Sequence, residues 1–135
     1  MIRNILAVIV GLAVGLLVNG GLIRLGHAVI APPAGTDVSS MDGIAAAMPL
    51  FGPEHFIFPF LAHAGGTLVG ALVSTLIAVS NKLKIALGLG IVFLIGGIAA
   101  VIILPAPLWY DVIDLLFAYI PMAWIGAKIG GAQST

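Results

Sequence analysis

Long runs of apolar residues, separated by short polar segments, dominate the chain. Four runs are long enough to cross a membrane, and they cover residues 2–30, 55–79, 85–104 and 108–129. A helix of about 20 apolar residues spans about 30 Å of hydrocarbon, so each run meets that requirement. Backbone polar groups in lipid must bond within their own segment, which favours helices over open strands. The pattern therefore predicts an all-α fold, a transmembrane antiparallel four-helix bundle in a single membrane domain.

The only sizeable polar segment, residues 32–54, lies between the first two runs. The Pro-Pro pair that opens it ends the first helix, because proline disfavours helical conformation in the residue before it. Ser40 can cap a short helix from Met41 to about Met48. We expect this segment to form an outer cap, either on the membrane surface or over the mouth of the bundle.

Composition supports a membrane protein and excludes several kinds of site. The chain is 61% hydrophobic and 7% charged, whereas ordinary soluble domains are about 25% charged. It has no cysteine, which excludes disulfides, thiolate metal sites and a cysteine nucleophile. Net charge is zero and no basic patch is present, so no nucleic-acid partner is expected. No small-residue cleavage site promptly follows the first run, which predicts a retained helix.

The distribution of charge predicts the orientation in the membrane. Four spans place the chain ends and the second loop on one side, with the basic residues Arg3, Lys82, Lys84 and Lys128. The positive-inside rule makes that side cytoplasmic. All five acids lie toward the other side, where Trp109 and Tyr110 fit an aromatic belt at the membrane interface. We therefore predict a multi-pass protein of a bacterial inner membrane with both termini cytoplasmic.

Small residues recur every four positions along the apolar runs and predict how the helices pack. The helix-packing positions are Gly11, Gly15, Gly66, Gly70, Gly126 and Gly130. No hydrophobic force drives helices together in lipid, so close backbone approach must supply the contact energy. Two interpretations stay open: packing within one chain, or a seam of a homo-oligomer or larger membrane complex. The lipid bilayer itself is the other expected partner.

Polar residues inside or beside the runs form the candidate site. They are Asn19, Arg24, His27, Glu54, His55, His63, Asp111 and Asp114. Arg24 is the only cation far from the basic end, and a guanidinium in hydrocarbon needs a partner. Asp114 lies at a similar depth by helical rise. We therefore predict an Arg24–Asp114 ion pair, either as a structural bridge or as part of a polar track.

The three histidines allow further alternatives. His27, His55 and His63 are weak metal-ligand candidates with a nearby carboxylate, but no local signature such as H-E-x-x-H supports them. A proton relay through His63, Asp114 and Glu54 is another possibility. No nucleophile elbow, phosphate loop or dinucleotide fingerprint is present. The sequence therefore predicts neither a cofactor nor catalysis.

Several motifs together resemble an uncharacterised family of small bacterial four-helix inner-membrane proteins. The matching positions are Gly26, His27, Pro32, Pro33, Gly35, Pro105, Pro107, Leu108, Trp109, Pro121, Gly126 and Gly130. This resemblance covers most of the chain and implies a four-helix membrane fold and a bacterial source. It implies no activity.

Abundant packing surface with little chemistry favours one function over two others. The leading expectation is a non-enzymatic structural or accessory subunit that associates through its glycine-rich helix faces. A small-solute or ion transporter with a polar track near Arg24 and Asp114 is the first alternative. A periplasm-facing metal-binding membrane protein is the second.

Overall fold

The computed structural model describes residues 1–133, which form an all-α fold, as predicted. The helices are α1 (Ile2–Val29), α2 (Met41–Ala47), α3 (Ile57–Ile77), α4 (Lys82–Ile103), α5 (Leu108–Phe117) and α6 (Ile120–Ile129). Four stretches are long and apolar enough to cross a membrane: Ile2–Val29, Pro53–Ile77, Lys82–Ile103 and Leu108–Ile129. The protein is therefore a multi-pass membrane protein, and its spans fall close to the predicted runs.

Helix α3 is the centre of the bundle and packs along α1, α4 and α6. Its contact with α1 is the most extensive, and Gly11 and Gly15 of α1 face Gly70 and Gly66 of α3. A Cβ added to Gly11 would lie 2.7 Å from the Gly70 carbonyl oxygen, closer than real Cβ atoms approach. The two backbones therefore touch directly, which is how helices without a hydrophobic driving force gain dispersion energy.

The contact between α3 and α6 is equally close. A Cβ added to Gly126 would clash with the Leu68 carbonyl oxygen, and a Cβ added to Gly130 would lie 2.7 Å from Cγ2 of Thr75. Side chains without exposed surface fill the space around it: Ala71, Ala86, Ala123 and Ala127. All six glycines predicted to pack therefore lie at contacts inside one chain.

The fourth span is not one continuous helix, although residues 108–129 were predicted as a single run. Helix α5 ends at Phe117, and α6 begins at Ile120 with Pro121 in its first turn. Proline lacks a backbone N–H and its ring clashes with the carbonyl four residues earlier, so a helix through this point is broken. The break turns Tyr119, which is 2% exposed, into the bundle.

The outer cap folds as predicted around its short helix. The Ser40 hydroxyl accepts a hydrogen bond of 3.1 Å from the Gly43 backbone N–H at the start of α2. In the loop before it, hydrogen bonds from Ser39 lower the pKa of Asp37 below its usual range. After α2 the chain forms a short 3₁₀ turn, Met48–Leu50, and Met48 packs against the outer ends of the spans. The cap therefore covers the mouth of the bundle.

Hydrogen bonds from the first turn of α1 close the opposite, basic end. Arg3 Nε donates to the Ile77 carbonyl at 3.2 Å, and the Asn4 side chain bonds Ser80 at 2.9 Å. Asn4 Oδ1 also accepts from the Val79 backbone N–H at 3.1 Å. These bonds hold the start of α1 against the end of α3, so the two helices run in opposite directions.

Candidate functional site

A cavity of about 160 Å³ lies in the outer half of the bundle, beneath the cap. Helices α1, α3, α4 and α5 supply its walls, and residues of the cap supply its roof. Most of the lining is apolar, and the polar side chains are His27, His55, His63, Tyr110, Asp111 and Asp114. An apolar pocket with a few convergent polar groups is the usual form of a small-molecule site.

Asp114 is the most buried charged group in the cavity wall, with 3% of its surface exposed. His63 Nδ1 lies 2.9 Å from each carboxylate oxygen, and the Tyr119 hydroxyl donates to Oδ2 at 2.8 Å. An ionised carboxylate only accepts hydrogen bonds, so Nδ1 is the ring nitrogen that carries the proton. This leaves His63 Nε2 with no hydrogen bond to any residue from 1 to 133.

Local structure on three helices holds this hydrogen-bonded group in place. The Thr67 hydroxyl donates to the His63 carbonyl at 2.8 Å, one turn further along α3. The His63 ring stacks on Tyr119 with centroids 5.8 Å apart. The Tyr119 hydroxyl occupies space that a Cβ on Gly97 of α4 would need. A glycine at that position therefore lets tyrosine reach Asp114.

The predicted Arg24–Asp114 ion pair is wrong. Asp114 is bonded to His63 and Tyr119, and Arg24 is exposed on the outside of the bundle, without a hydrogen bond or ion pair among the described residues. The reason lies in how α1 packs. Its glycine face packs on α3, and Arg24 points away from that face toward a side where no helix within residues 1–133 lies against it.

Tyr110 differs from the prediction in a way that concerns the cavity. Its side chain is only 8% exposed rather than part of an interfacial belt, whereas its neighbour Trp109 is 48% exposed. The Tyr110 hydroxyl is buried and has no hydrogen-bond partner among residues 1–133. Asp114 lies one turn further along α5, but the two side chains do not meet the geometry of a hydrogen bond. An orphaned buried hydroxyl is rare in a folded protein and requires an explanation.

Sequence reasoning missed both tyrosines as site residues. Tyr110 precedes Asp114 by four positions on α5, and residues at that spacing share a helix face. This spacing could have identified Tyr110 as a site residue from the sequence alone. Tyr119 follows the break in the fourth span, so no helical spacing relates it to Asp114, and only the structure brings them together.

The remaining predicted residues lie around the cavity rather than at its centre. His55 joins the cap to α1: the Gly52 N–H lies 3.1 Å from Nδ1, and Nε2 lies 3.2 Å from the Ala31 carbonyl. Both bonds form when Nε2 carries the proton, so His55 has a structural role. Glu54 is exposed, with an oxygen 3.4 Å from His55 Nδ1.

Three further candidates make no hydrogen bond within the part of the chain that the structure describes. His27 is exposed at the cavity rim, and Asp111 lines the cavity. Asn19 lies against Gly66 at the α1–α3 contact, away from the cavity lining.

The structure does not gather the histidines into a metal centre. Within residues 1–133 no three side chains of His, Asp or Glu come close enough together to hold a metal ion. The proposed proton relay is also incomplete, because His63 and Asp114 meet but Glu54 lies with His55 at the cap. Comparisons with known proteins found no matching family model, no similar curated protein and no similar solved structure. The family resemblance noted above therefore stays a prediction.

Proposed function

We propose that this protein is a non-enzymatic membrane protein that binds a small molecule in the cavity of its outer half. One observation carries the proposal: His63 and the buried Asp114 line an apolar cavity, and His63 Nε2 makes no hydrogen bond to any residue from 1 to 133. A bound molecule that donates a hydrogen bond would give this nitrogen a partner. Intramembrane ionisable groups also mark binding sites and substrate pathways more often than chance.

The form of the bundle favours binding over a continuous channel. Below the cavity, α1 and α3 touch through their backbones at Gly15 and Gly66, and alanines fill the core further in. The buried hydroxyls further in, on Thr67, Ser74 and Thr75, each donate to a carbonyl of their own helix. Transport through this site would need a second conformation, for which the break before Pro121 provides a hinge of the kind found in transporter helices.

Native mass spectrometry of the purified protein tests the binding function directly. Ala100 lines the cavity, so Ala100→Trp fills it, whereas the neighbouring exposed Ala99 does not line it and Ala99→Trp serves as the matched control. Wild type and Ala99→Trp should retain an additional small mass from the membrane, and Ala100→Trp should lose it. Absence of added mass from all three proteins, or equal added mass on all three, would contradict the proposal.

A second candidate function is the accessory subunit that the sequence suggested. The observation in its favour is the outward side of α1, where Arg24 lacks a partner among the described residues and Gly20 and Gly21 have open space beside them. A neighbouring subunit that places a carboxylate on this side would form an ion pair with Arg24. Mass measurement in native lipid nanodiscs tests it: a stable complex weakened by Arg24→Leu supports it, and a strict monomer contradicts it.

The proposed setting is a bacterial inner membrane with both termini in the cytoplasm. The support is the basic end of the molecule, where Arg3 and the loop between α3 and α4 lie together. The cavity would then open toward the periplasm. A reporter fused to the carboxyl terminus tests the orientation, because it should be active only on the cytoplasmic side.

A further inference from the structure

The hydrogen-bonding groups left free in the wall of the outer cavity, below its rim, are acceptors. His63 Nε2 accepts, because the proton of the ring lies on Nδ1 toward Asp114. Asp111 lines the cavity without a hydrogen bond inside residues 1–133, and an ionised carboxylate only accepts. The other groups are occupied or enclosed, since His55 bonds through both ring nitrogens and the Tyr110 hydroxyl has almost no accessible surface. A ligand must therefore supply the donors.

His63 is the member of the buried pair that a ligand can reach. Its side chain is 23% exposed, compared with 4% for the side chain of Asp114. The edge of the imidazole that carries Nδ1 faces the carboxylate, so Nε2 lies on the opposite edge of the ring. A molecule in the cavity consequently meets the imidazole first and the carboxylate charge behind it.

The charge of the cavity wall is negative and unbalanced. Among residues 1–133 two Asp side chains and no Lys or Arg side chain line the cavity. Asp111 and Asp114 are three positions apart on α5 and share a helix face, so their charges repel each other. Asp114 has His63 as its partner, but Asp111 has no ion pair within the part of the chain that the structure describes. A bound cation would offset this repulsion, and a bound anion would add to it.

The volume and the apolar walls limit the rest of the ligand. The cavity measures about 160 Å³, and an apolar protein cavity of roughly 150 Å³ binds benzene. Phe51, Phe56 and Phe58 contribute to the walls, and most of the remaining lining is aliphatic. A single ring with a short substituent therefore matches the space.

We propose that the ligand is a small organic amine in its protonated form, with an apolar body about the size of a benzene ring. The ammonium group donates to His63 Nε2. Asp111, about 4.5 Å of helical rise from Asp114, balances its charge. An ammonium group matches the free groups of the wall because it has several donors and no acceptor. This inference rests on the proposed binding function and names the class of ligand for the same site.

Three compounds with the same ring and different substituents test the charge. Para-fluorobenzylamine, para-fluorobenzyl alcohol and para-fluorobenzoate are titrated into phosphatidylcholine nanodiscs, and fluorine NMR follows each ring. Partition into the bilayer does not saturate, so binding is the saturable part that Ala99→Trp retains and Ala100→Trp loses. The amine should bind at least about tenfold more tightly than the alcohol, and the benzoate should not bind.

Two acidic residues provide a matched test of the site. Asp111 lines the cavity, whereas Asp42 is exposed on the cap and does not line it. Asp111→Asn removes the charge and keeps the size, so it should weaken amine binding about tenfold and alcohol binding less than about twofold. Asp42→Asn should change neither affinity. Asp111 makes no hydrogen bond in the described structure, so the fold of Asp111→Asn should be unaffected.

The head group of phosphatidylethanolamine also carries a primary ammonium, so the lipid is varied as well. Its phosphate would lie beside Asp111 and be repelled, which favours a free amine over the lipid. The affinity for para-fluorobenzylamine should therefore stay unchanged when phosphatidylethanolamine is included in the nanodiscs. A loss of about tenfold on that change would assign the site to a lipid head group and overturn the inference.

The remaining outcomes separate this inference from the proposed function. No saturable binding of the amine, equal affinities for the amine and the alcohol, or equal effects of Asp111→Asn and Asp42→Asn would each overturn the inference. The proposed function would still stand if Ala100→Trp loses the co-purifying mass that Ala99→Trp retains. If Ala100→Trp loses no such mass and no compound binds, both fail.

Discussion

The inner and outer halves of this bundle use the same helices but pack them in opposite ways. In the inner half, glycine and alanine bring backbones into contact, and the Ser74 and Thr75 hydroxyls bond to the Ala71 carbonyl of their own helix. In the outer half, aromatic and histidine side chains lie between the helices, and a cavity remains. The small side chains therefore define the architecture, and the larger polar ones define the site where close packing stops.

The largest expected effect comes from disrupting the close-packed half. Gly70→Leu should lower the free energy of unfolding by about 3 kcal/mol, because the new side chain meets the α1 backbone, which cannot move as a side chain can. Reversible unfolding in mixed detergent micelles measures it. Gly21→Leu is the control, since that position has open space and its change should be small. Equal losses in the two variants would show that the close contact is not what stabilises the bundle.

Asp114→Ala should have the next largest effect, in the polar half. It leaves His63 and Tyr119 without their shared acceptor, and buried donors without a partner cost about 2 kcal/mol in total. The same unfolding assay applies, with Asp111→Ala as the control because Asp111 makes no hydrogen bond in the described structure. A loss for Asp111→Ala as large as that for Asp114→Ala would rule out a specific role for the buried group.

Gly97→Ala should cost about 1–2 kcal/mol, because the added methyl group needs the space of the Tyr119 hydroxyl. A double-mutant cycle tests this contact, because Gly97 packs against Tyr119, and Tyr119 in turn donates a hydrogen bond to Asp114. The added methyl group also meets ring carbons of Tyr119, so removing the whole ring in Tyr119→Ala should cancel most of the cost, and the two changes should not be additive. Additive losses would mean that Gly97 is needed for some other reason.

The smallest expected effect is at Arg24. Arg24→Leu should change the free energy of unfolding by no more than about 0.5 kcal/mol, as for a surface position without partners. Arg24 lies five residues before the end of α1, about 8 Å by helical rise, so its side chain can extend toward the head groups. A loss of unfolding free energy as large as that of Asp114→Ala would indicate that Arg24 pairs with Asp114, as the sequence suggested.

Much of the architecture could be predicted from the sequence because hydrophobic length and small-residue spacing are local signals. The four spans, the cap with Ser40 at the start of its helix, and the glycine positions at helix contacts all follow from such signals. The partner of Asp114 could not be predicted in the same way. Its partner depends on how each helix is rotated about its axis, and helices that are apolar all round carry little information about rotation.

The error at Arg24 shows which step failed. Depth alone favoured Arg24 as the partner of Asp114. The structure places Arg24 on the side of α1 away from its glycine face, where no helix within residues 1–133 lies beside it. Pro121 marks the break in the fourth span, but the approach of Tyr119 to the carboxylate and the cavity beside Tyr110 arise only when the helices assemble. No pattern within a single run contains them.

Nitrogen NMR of the labelled histidine side chains measures which nitrogen of the His63 ring is protonated, with His63 assigned by its loss in His63→Gln. We expect Nδ1 of His63 to carry a proton hydrogen-bonded to Asp114, and Nε2 to be unprotonated. An unprotonated Nδ1 would contradict a His63–Asp114 pair in the wall of a ligand cavity.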